Sequence, residues 1–107
     1  MHWSGLRTSI DTIRRYGDLA TRGSEPATVA KAWTASGFDD QGAAKWLDAR
    51  CFDPHAARLL ADLDVTPEQA SKRTRDGRGD YVDTIAYKVA SGDLSARQGA
   101  ARAGSSR

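Results

Sequence analysis

The sequence has few of the residues that build large hydrophobic cores. Leucine, isoleucine, valine and phenylalanine account for 16 of its 107 residues, a share low enough to permit disorder when net charge is also high. The net charge is only +2, and 18 alanines, three tryptophans and three tyrosines add buriable surface. We therefore expect a folded chain with a thin core, and its length suits about one domain.

Long apolar runs are missing, and there is a single cysteine. Cys51 alone cannot form an internal disulfide. Charged residues interrupt the first twenty positions, which argues against a signal peptide. Runs of large apolar residues reach two residues, as at Leu59-Leu60, whereas a bilayer span needs ~20. These absences predict a cytoplasmic protein without a membrane segment.

The sequence has no residue pattern typical of catalysis or metal binding. His2 and His55 are far apart, and one cysteine provides no Cys/His cluster at zinc spacing. Glycine-rich phosphate loops of standard spacing are absent. The aspartates, such as Asp39, are interpreted as helix caps and polar helix faces. We expect a protein that is not an enzyme and binds neither a cofactor nor a metal.

Three short units repeat in the middle of the chain. Their apolar anchors Phe38, Phe52 and Val65 are spaced by 14 and 13 residues. Each anchor precedes a residue that favours a helix N-cap, namely Asp39, Asp53 and Thr66. Two units then place proline at the first helical position, and each has alanine five residues after its anchor. The pattern predicts tandem helix-turn units of about 13 residues.

Longer helices are predicted on the N-terminal side of these units. The helical spacing of apolar residues predicts a first helix from about Ser4 to Thr21. A second helix begins at Ser24 or Pro26 and ends near Gly37. The largest side chains expected in the core are Trp3, Trp33 and Trp46.

On the C-terminal side, the third unit continues into a helix that is polar on all sides. Ala70 is the only apolar residue in the predicted helix Pro67 to Arg75. Such a helix is either a solvated connector or a surface for a partner. After a glycine-rich turn, we expect Asp80 to cap an amphipathic helix that includes Val82 and ends at Gly92.

Strand-like alternation and hairpin signals are not evident, so the predicted fold class is all-α. We expect a compact bundle of about six to seven helices, with the tandem units between longer flanking helices. A single domain would cover residues 1–104, divided into an N-terminal helix (1–22), the tandem units (26–76) and C-terminal helices (80–104). Residues 105–107 would form a disordered tail.

The segment 56–77 has the helix, short turn, helix pattern of a DNA-binding motif. From Leu63 to Arg73 it resembles the turn and recognition helix of phage-repressor-type helix-turn-helix proteins, with Asp64 at the usual glycine. In that family the second helix enters the major groove. The resemblance implies that base edges contact Thr66, Glu68 and Gln69, and that phosphates contact Lys72, Arg73, Arg75 and Arg78.

The charge distribution is compatible with DNA binding and equally with a solvated helical surface. Residues 1–65 carry eight basic and nine acidic side chains, whereas residues 66–107 carry eight basic and five acidic. Arginine outnumbers lysine 12 to 4 and aspartate outnumbers glutamate 12 to 2, which resembles small proteins of actinobacteria, their phages and plasmids. The leading hypothesis is a DNA-binding regulator or accessory protein of a phage or mobile element, acting on double-stranded DNA.

The alternative is a phage- or plasmid-encoded interaction module that binds a host protein and inhibits or redirects it. Aromatic residues and arginine dominate interface hot spots, and the sequence has both. An exposed apolar patch would favour a protein partner or a homodimer. Buried tryptophans beside an exposed basic stripe would favour nucleic acid. The oligomeric state stays open.

Overall fold

Eight helices and a two-stranded sheet make up the part of the chain that the computed structural model describes. The described residues are 7–75, 78 and 81–104, and at positions 75, 81 and 82 the description covers the backbone only. The elements in chain order are α1 Ile10–Tyr16, α2 Asp18–Thr21, α3 Pro26–Ala35, α4 Asp40–Asp48, α5 Pro54–Asp62, α6 Pro67–Ala70, β1 Arg73–Arg75, β2 Tyr81–Thr84, α7 Ile85–Ala90 and α8 Ala96–Ala103. The fold is mostly helical, as predicted, and the small sheet is an addition.

The N-terminal helix is shorter than predicted and is divided in two. It begins at Ile10, because the Ser9 side chain accepts the backbone N–H of Thr12 and caps α1. Gly17 then separates α1 from α2 with φ +59° and ψ −137°, a conformation that glycine adopts at little cost. Residues 4–6 of the predicted helix lie outside the described residues.

The three repeated units form the short capped helices that their sequence predicts. Asp39, Asp53 and Thr66 each accept a backbone N–H from the first turn of α4, α5 and α6 with their side chains. The alanines five residues after each anchor are fully buried: Ala43, Ala57 and Ala70. Each unit therefore directs a small apolar face into the common core.

Two of the tryptophans lie in this core, as predicted. Trp33 is 0% exposed, Trp46 is 3% exposed, and Trp3 lies outside the described residues. Trp33 packs edge-on against Phe38, with ring centroids 5.2 Å apart. Leu60 of α5 is also fully buried, and α5 packs against α3, α7 and α8. The second unit thus forms the centre of the bundle.

The predicted helix from Pro67 to Arg75 is wrong beyond its first turn. The chain leaves α6 after four residues and forms β1, which pairs antiparallel with β2. Arg73 lies opposite Thr84 and Arg75 opposite Tyr81, with a β-bulge between the two pairs. A longer helix would have had no further apolar side chain to bury, whereas the strand pairs its backbone with β2.

The beginning of α7 also differs from the prediction. Val82, expected on a helix, lies in β2. Thr84 caps α7, because its Oγ1 accepts the backbone N–H of Tyr87 at 3.1 Å. The expected cap, Asp80, lies outside the described residues. Gly92 follows the end of α7 with φ +90°, in agreement with the predicted C-terminal stop.

Candidate nucleic-acid interface

Two of the residues predicted to read base edges form the cap of α6. Thr66 Oγ1 accepts the backbone N–H of Gln69 at 3.1 Å, and Gln69 Oε1 accepts the backbone N–H of Thr66 at 2.9 Å. This reciprocal pair is a capping box. Both side-chain oxygens are therefore engaged within the protein, on a helix of only four residues.

Glu68, the third predicted base contact, lies at a small cleft between α4 and α6. The cleft has a volume of about 260 Å³ and is lined by Lys45, Asp48, Ala49, Pro67, Glu68 and Ser71. Its charged side chains are one lysine and two carboxylates, Asp48 and Glu68. This net negative set does not attract the phosphates of DNA.

Lys72 connects the hairpin to the last helix. Its Nζ donates a hydrogen bond of 3.1 Å to the backbone oxygen of Ala103. The following residue, Gly104, ends α8 in the left-handed conformation. A cation at a helix C-terminus is stabilising. Lys72 is exposed, yet it also has this structural role.

The hairpin of β1 and β2 brings together the three predicted phosphate-binding arginines. Arg73 and Arg75 lie two residues apart in β1, and Arg78 lies in the turn between the strands. The side chains of Arg73 and Arg78 are exposed. Segment 72–80 contains four basic and two acidic residues. Arg73 and Arg75, which the sequence predicts on a helix, therefore lie on a β-strand.

The base of the hairpin is attached to the helices by hydrogen bonds. The backbone N–H of Ile85 donates to the oxygen of Lys72 at 2.9 Å and closes the hairpin. Thr84 Oγ1 donates to the backbone oxygen of Ala49 at 2.6 Å in a buried position. The second strand is thereby joined to the turn between α4 and α5.

Next to this bond, Arg50 and Asp83 form a bidentate ion pair. Arg50 Nε and Nη2 donate to the two carboxylate oxygens of Asp83 at 2.7 and 2.8 Å. Burial alone would raise the pKa of Asp83, but the hydrogen bonds from Arg50 and from Thr84 N–H, with the charges of Arg50 and Arg73, lower it. The hydrogen bond to Asp83 raises the pKa of Arg50 in turn.

Arg50 is also the first member of a row of stacked arginine and aromatic side chains. Its Cζ lies 5.2 Å from the ring centroid of Tyr87. Tyr87 packs edge-on against Phe52 at 5.4 Å between centroids, and the guanidinium of Arg22 lies 4.2 Å over the Phe52 ring. We call these four residues the stacked row. Each cation over a ring is attracted by its quadrupole.

The sequence predicts Phe52 as an apolar anchor but does not predict the stacked row, because each contact in the row joins residues that are far apart in the chain. Arg22 and Tyr87, joined by a hydrogen bond of 3.4 Å, are 65 residues apart. Arg22 and Arg50 both have positive φ, +50° and +67°, which is unfavourable for a residue with a Cβ. Single positions of this kind leave no periodic signal in a sequence.

A second groove, mostly apolar, lies beside the stacked row. It has a volume of about 280 Å³ and is lined by Ala20, Thr21, Arg22, Ser24, Thr28, Val29, Ala32, Phe52, Asp53 and Pro54. Arg22 and Phe52 belong to both features. We call it the α3 groove.

The described residues offer little for covalent or metal chemistry. Cys51 is fully buried, and burial raises the pKa of its thiol to about 12, which suppresses the nucleophilic thiolate. Within the same residues, His, Cys, Asp and Glu do not gather in threes as metal ligands would.

Comparison with protein-family models, curated proteins and solved structures found no significant match. Among the helices in the described ranges, none has the length and apolar character needed to cross a bilayer.

Proposed function

We propose that this chain is a small, non-enzymatic protein that binds double-stranded DNA through its β1–β2 hairpin. Such proteins serve phages and other mobile elements as regulators or accessory factors. The observation that supports the proposal is the placement of Arg73, Arg75 and Arg78 within one hairpin. A two-stranded ribbon fits the major groove, and arginine suits both phosphates and guanine edges.

The position of the two tryptophans in the described residues supports the same choice. Trp33 and Trp46 are buried, whereas Lys72, Arg73 and Arg78 are exposed. This is the combination expected for nucleic acid rather than for an aromatic interface. Because α6 has one turn and its cap engages Thr66 and Gln69, the hairpin is a better candidate than α6 for contact with the duplex.

The first test is the salt dependence of binding to a labelled random-sequence duplex, followed by fluorescence anisotropy at 50 and 200 mM salt. Three phosphate contacts, one for each hairpin arginine, predict a loss of about fortyfold in affinity between these concentrations. Absence of binding at 50 mM salt would overturn the proposal.

The second test compares two triple variants with the same change in net charge. R73A/R75A/R78A removes the hairpin arginines, and R14A/R15A/R58A removes exposed arginines of α1 and α5. If each hairpin arginine neutralises one phosphate, the log–log salt slope falls by about 2.7 in the hairpin variant and stays near wild type in the control. Equal losses in both variants would show that overall charge, not the hairpin, drives binding.

A second candidate function is a module that binds a host protein, and the α3 groove is the observation that favours it. Its apolar walls, including Val29, Phe52 and Pro54, could take an apolar side chain of a partner. Ala32 is exposed at this groove, so A32R would block it. A partner retained by wild type and lost by A32R, with duplex binding absent in both, would favour this second function.

A further inference from the structure

The β1–β2 hairpin is too short to hold its own orientation. Its strands have three and four residues, and an isolated two-stranded hairpin is at best marginally stable in water. The direction in which it leaves the helices therefore depends on contacts at its base. Two of these contacts join β2 to the turn between α4 and α5.

The two contacts differ in what they fix. The bond from Thr84 Oγ1 to the Ala49 oxygen, 2.6 Å long and buried, fixes one point of β2. The two bonds between Arg50 and Asp83, of 2.7 and 2.8 Å, join two donor atoms to two acceptor atoms, so they also restrict the angle between the two side chains. Of these two contacts of β2, the ion pair is the one that restricts the direction of the hairpin.

Arg50 is itself held in place on the helical side. Its backbone has φ +67° at the turn after α4, and its guanidinium lies over the ring of Tyr87. Tyr87 in turn packs against Phe52. Asp83 is thus bound to a cation whose backbone and head group are both constrained, rather than to a side chain that can swing freely.

We propose that Arg50 and Asp83 are positioning residues, which hold the hairpin in the direction in which its arginines reach the duplex, without contacting DNA themselves. Asp83 balances the charge of Arg50, whose Nε and Nη2 both donate to it while one face of the guanidinium lies against the Tyr87 ring, so the orientation of Arg50 is set within the protein. The inference rests on the proposed function and adds the device that orients its binding element.

The sharpest test is D83N, because positioning and electrostatics predict opposite signs. D83N makes the protein more positive by one charge, which by electrostatics alone strengthens DNA binding. If the pair positions the hairpin, D83N instead weakens binding. If the hairpin of D83N points in the productive direction for a third to a tenth of the time, its affinity for duplex DNA falls about threefold to tenfold. R50K keeps the charge but loses the planar fork, and we expect a similar fall with an unchanged salt slope.

The matched controls are D62N and R58K, which alter the exposed ion pair between Arg58 and Asp62 on α5 by the same chemistry. We expect both to bind duplex DNA at least as well as wild type. If D83N binds as tightly as D62N or more tightly, the positioning role is overturned.

A measurement without DNA separates this inference from the proposed function. Amide hydrogen exchange of Ile85, which closes the hairpin onto Lys72, should be faster in D83N and R50K than in D62N and R58K. Unchanged exchange would overturn the positioning role even if wild type binds DNA. If exchange of Ile85 is faster in D83N and R50K but wild type binds no duplex, the proposed function is refuted. The role of the ion pair in orienting the hairpin then stands.

Discussion

Gly99 of α8 lies so close to Val89 of α7 that a Cβ at residue 99 would be 2.5 Å from Val89 Cγ2. Glycine inside a helix costs roughly 1 kcal/mol relative to alanine, so a packing reason is needed to explain it. The same face of α8 buries Ala100 and Ala103. Small residues therefore let the backbones of the last two helices approach each other closely.

We predict that G99A lowers the free energy of unfolding by about 1–3 kcal/mol, because overpacking outweighs the gain in helix propensity. Urea unfolding measures the change. In a V89A background, which removes the clashing methyl group, the same substitution should cost clearly less.

The control for this prediction is G42A in α4. A Cβ there would lie 3.2 Å from Cδ1 of the Phe38 ring and 3.3 Å from Asp39 Oδ1, contacts much less severe than the 2.5 Å at Gly99. G42A should therefore stay within about 1 kcal/mol of wild type. If G99A lowers the free energy of unfolding equally in the wild-type and V89A backgrounds, the close-packing explanation is wrong.

The cap of α6 leads to a prediction that separates stability from DNA binding. T66A should lower the free energy of unfolding by about 1 kcal/mol, because it removes one half of the capping box. If the hairpin makes the DNA contacts, duplex affinity stays unchanged. S95A removes the equivalent capping box of α8 and serves as the control. If T66A binds duplex DNA more weakly than wild type and S95A does not, Thr66 contacts a base as the sequence predicts.

The helix caps could be predicted from the sequence because capping is local. Asp39, Asp53 and Thr66 each bond to a backbone N–H two or three residues later, and proline at the first helical position reinforces two of them. Ser9 and Gly17 carry the same kind of local signal, yet the apolar periodicity from Ile10 to Ala20 continued across Gly17 and concealed the break.

The hairpin could not be predicted because distant contacts stabilise it. β1 has only three residues, too few for an alternating pattern. Thr84 and Ala49 are 35 residues apart, and Asp83 and Arg50 are 33 apart. The basic residues of the candidate site were singled out by the helix-turn-helix resemblance of the sequence, but the element that carries them depends on these tertiary bonds.

The raised pKa of Tyr16 predicts that the protein loses stability at alkaline pH. Burial, with the hydrogen bond and charge of Asp48, raises the pKa of Tyr16 from 10.0 to about 12, although the charge of Arg15 opposes the shift. The folded state thus keeps a proton that the unfolded chain releases. The contribution of Tyr16 to the free energy of unfolding is complete below pH 10.0 and is lost as the pH rises toward about 12.

Urea unfolding of wild type and Y16F across this pH range measures the effect. The stability advantage of wild type over Y16F should shrink as the pH rises. D48N should reduce the pH dependence of the free energy of unfolding without abolishing it, because Tyr16 remains buried. A constant difference between wild type and Y16F would refute the assignment to Tyr16.

Cys51 gives a native probe of unfolding, since it is the only cysteine in the chain. Its side chain is fully buried and burial raises the pKa of the thiol to about 12, so an alkylating reagent at neutral pH has neither access nor thiolate to react with. We predict that labelling of wild type follows the urea unfolding curve. In S91C, the new thiol at an exposed position should react at once in native protein while Cys51 stays protected. Rapid labelling of native Cys51 would mean that the turn between α4 and α5 opens locally, and would remove the rigid support on which the orientation of Arg50 depends.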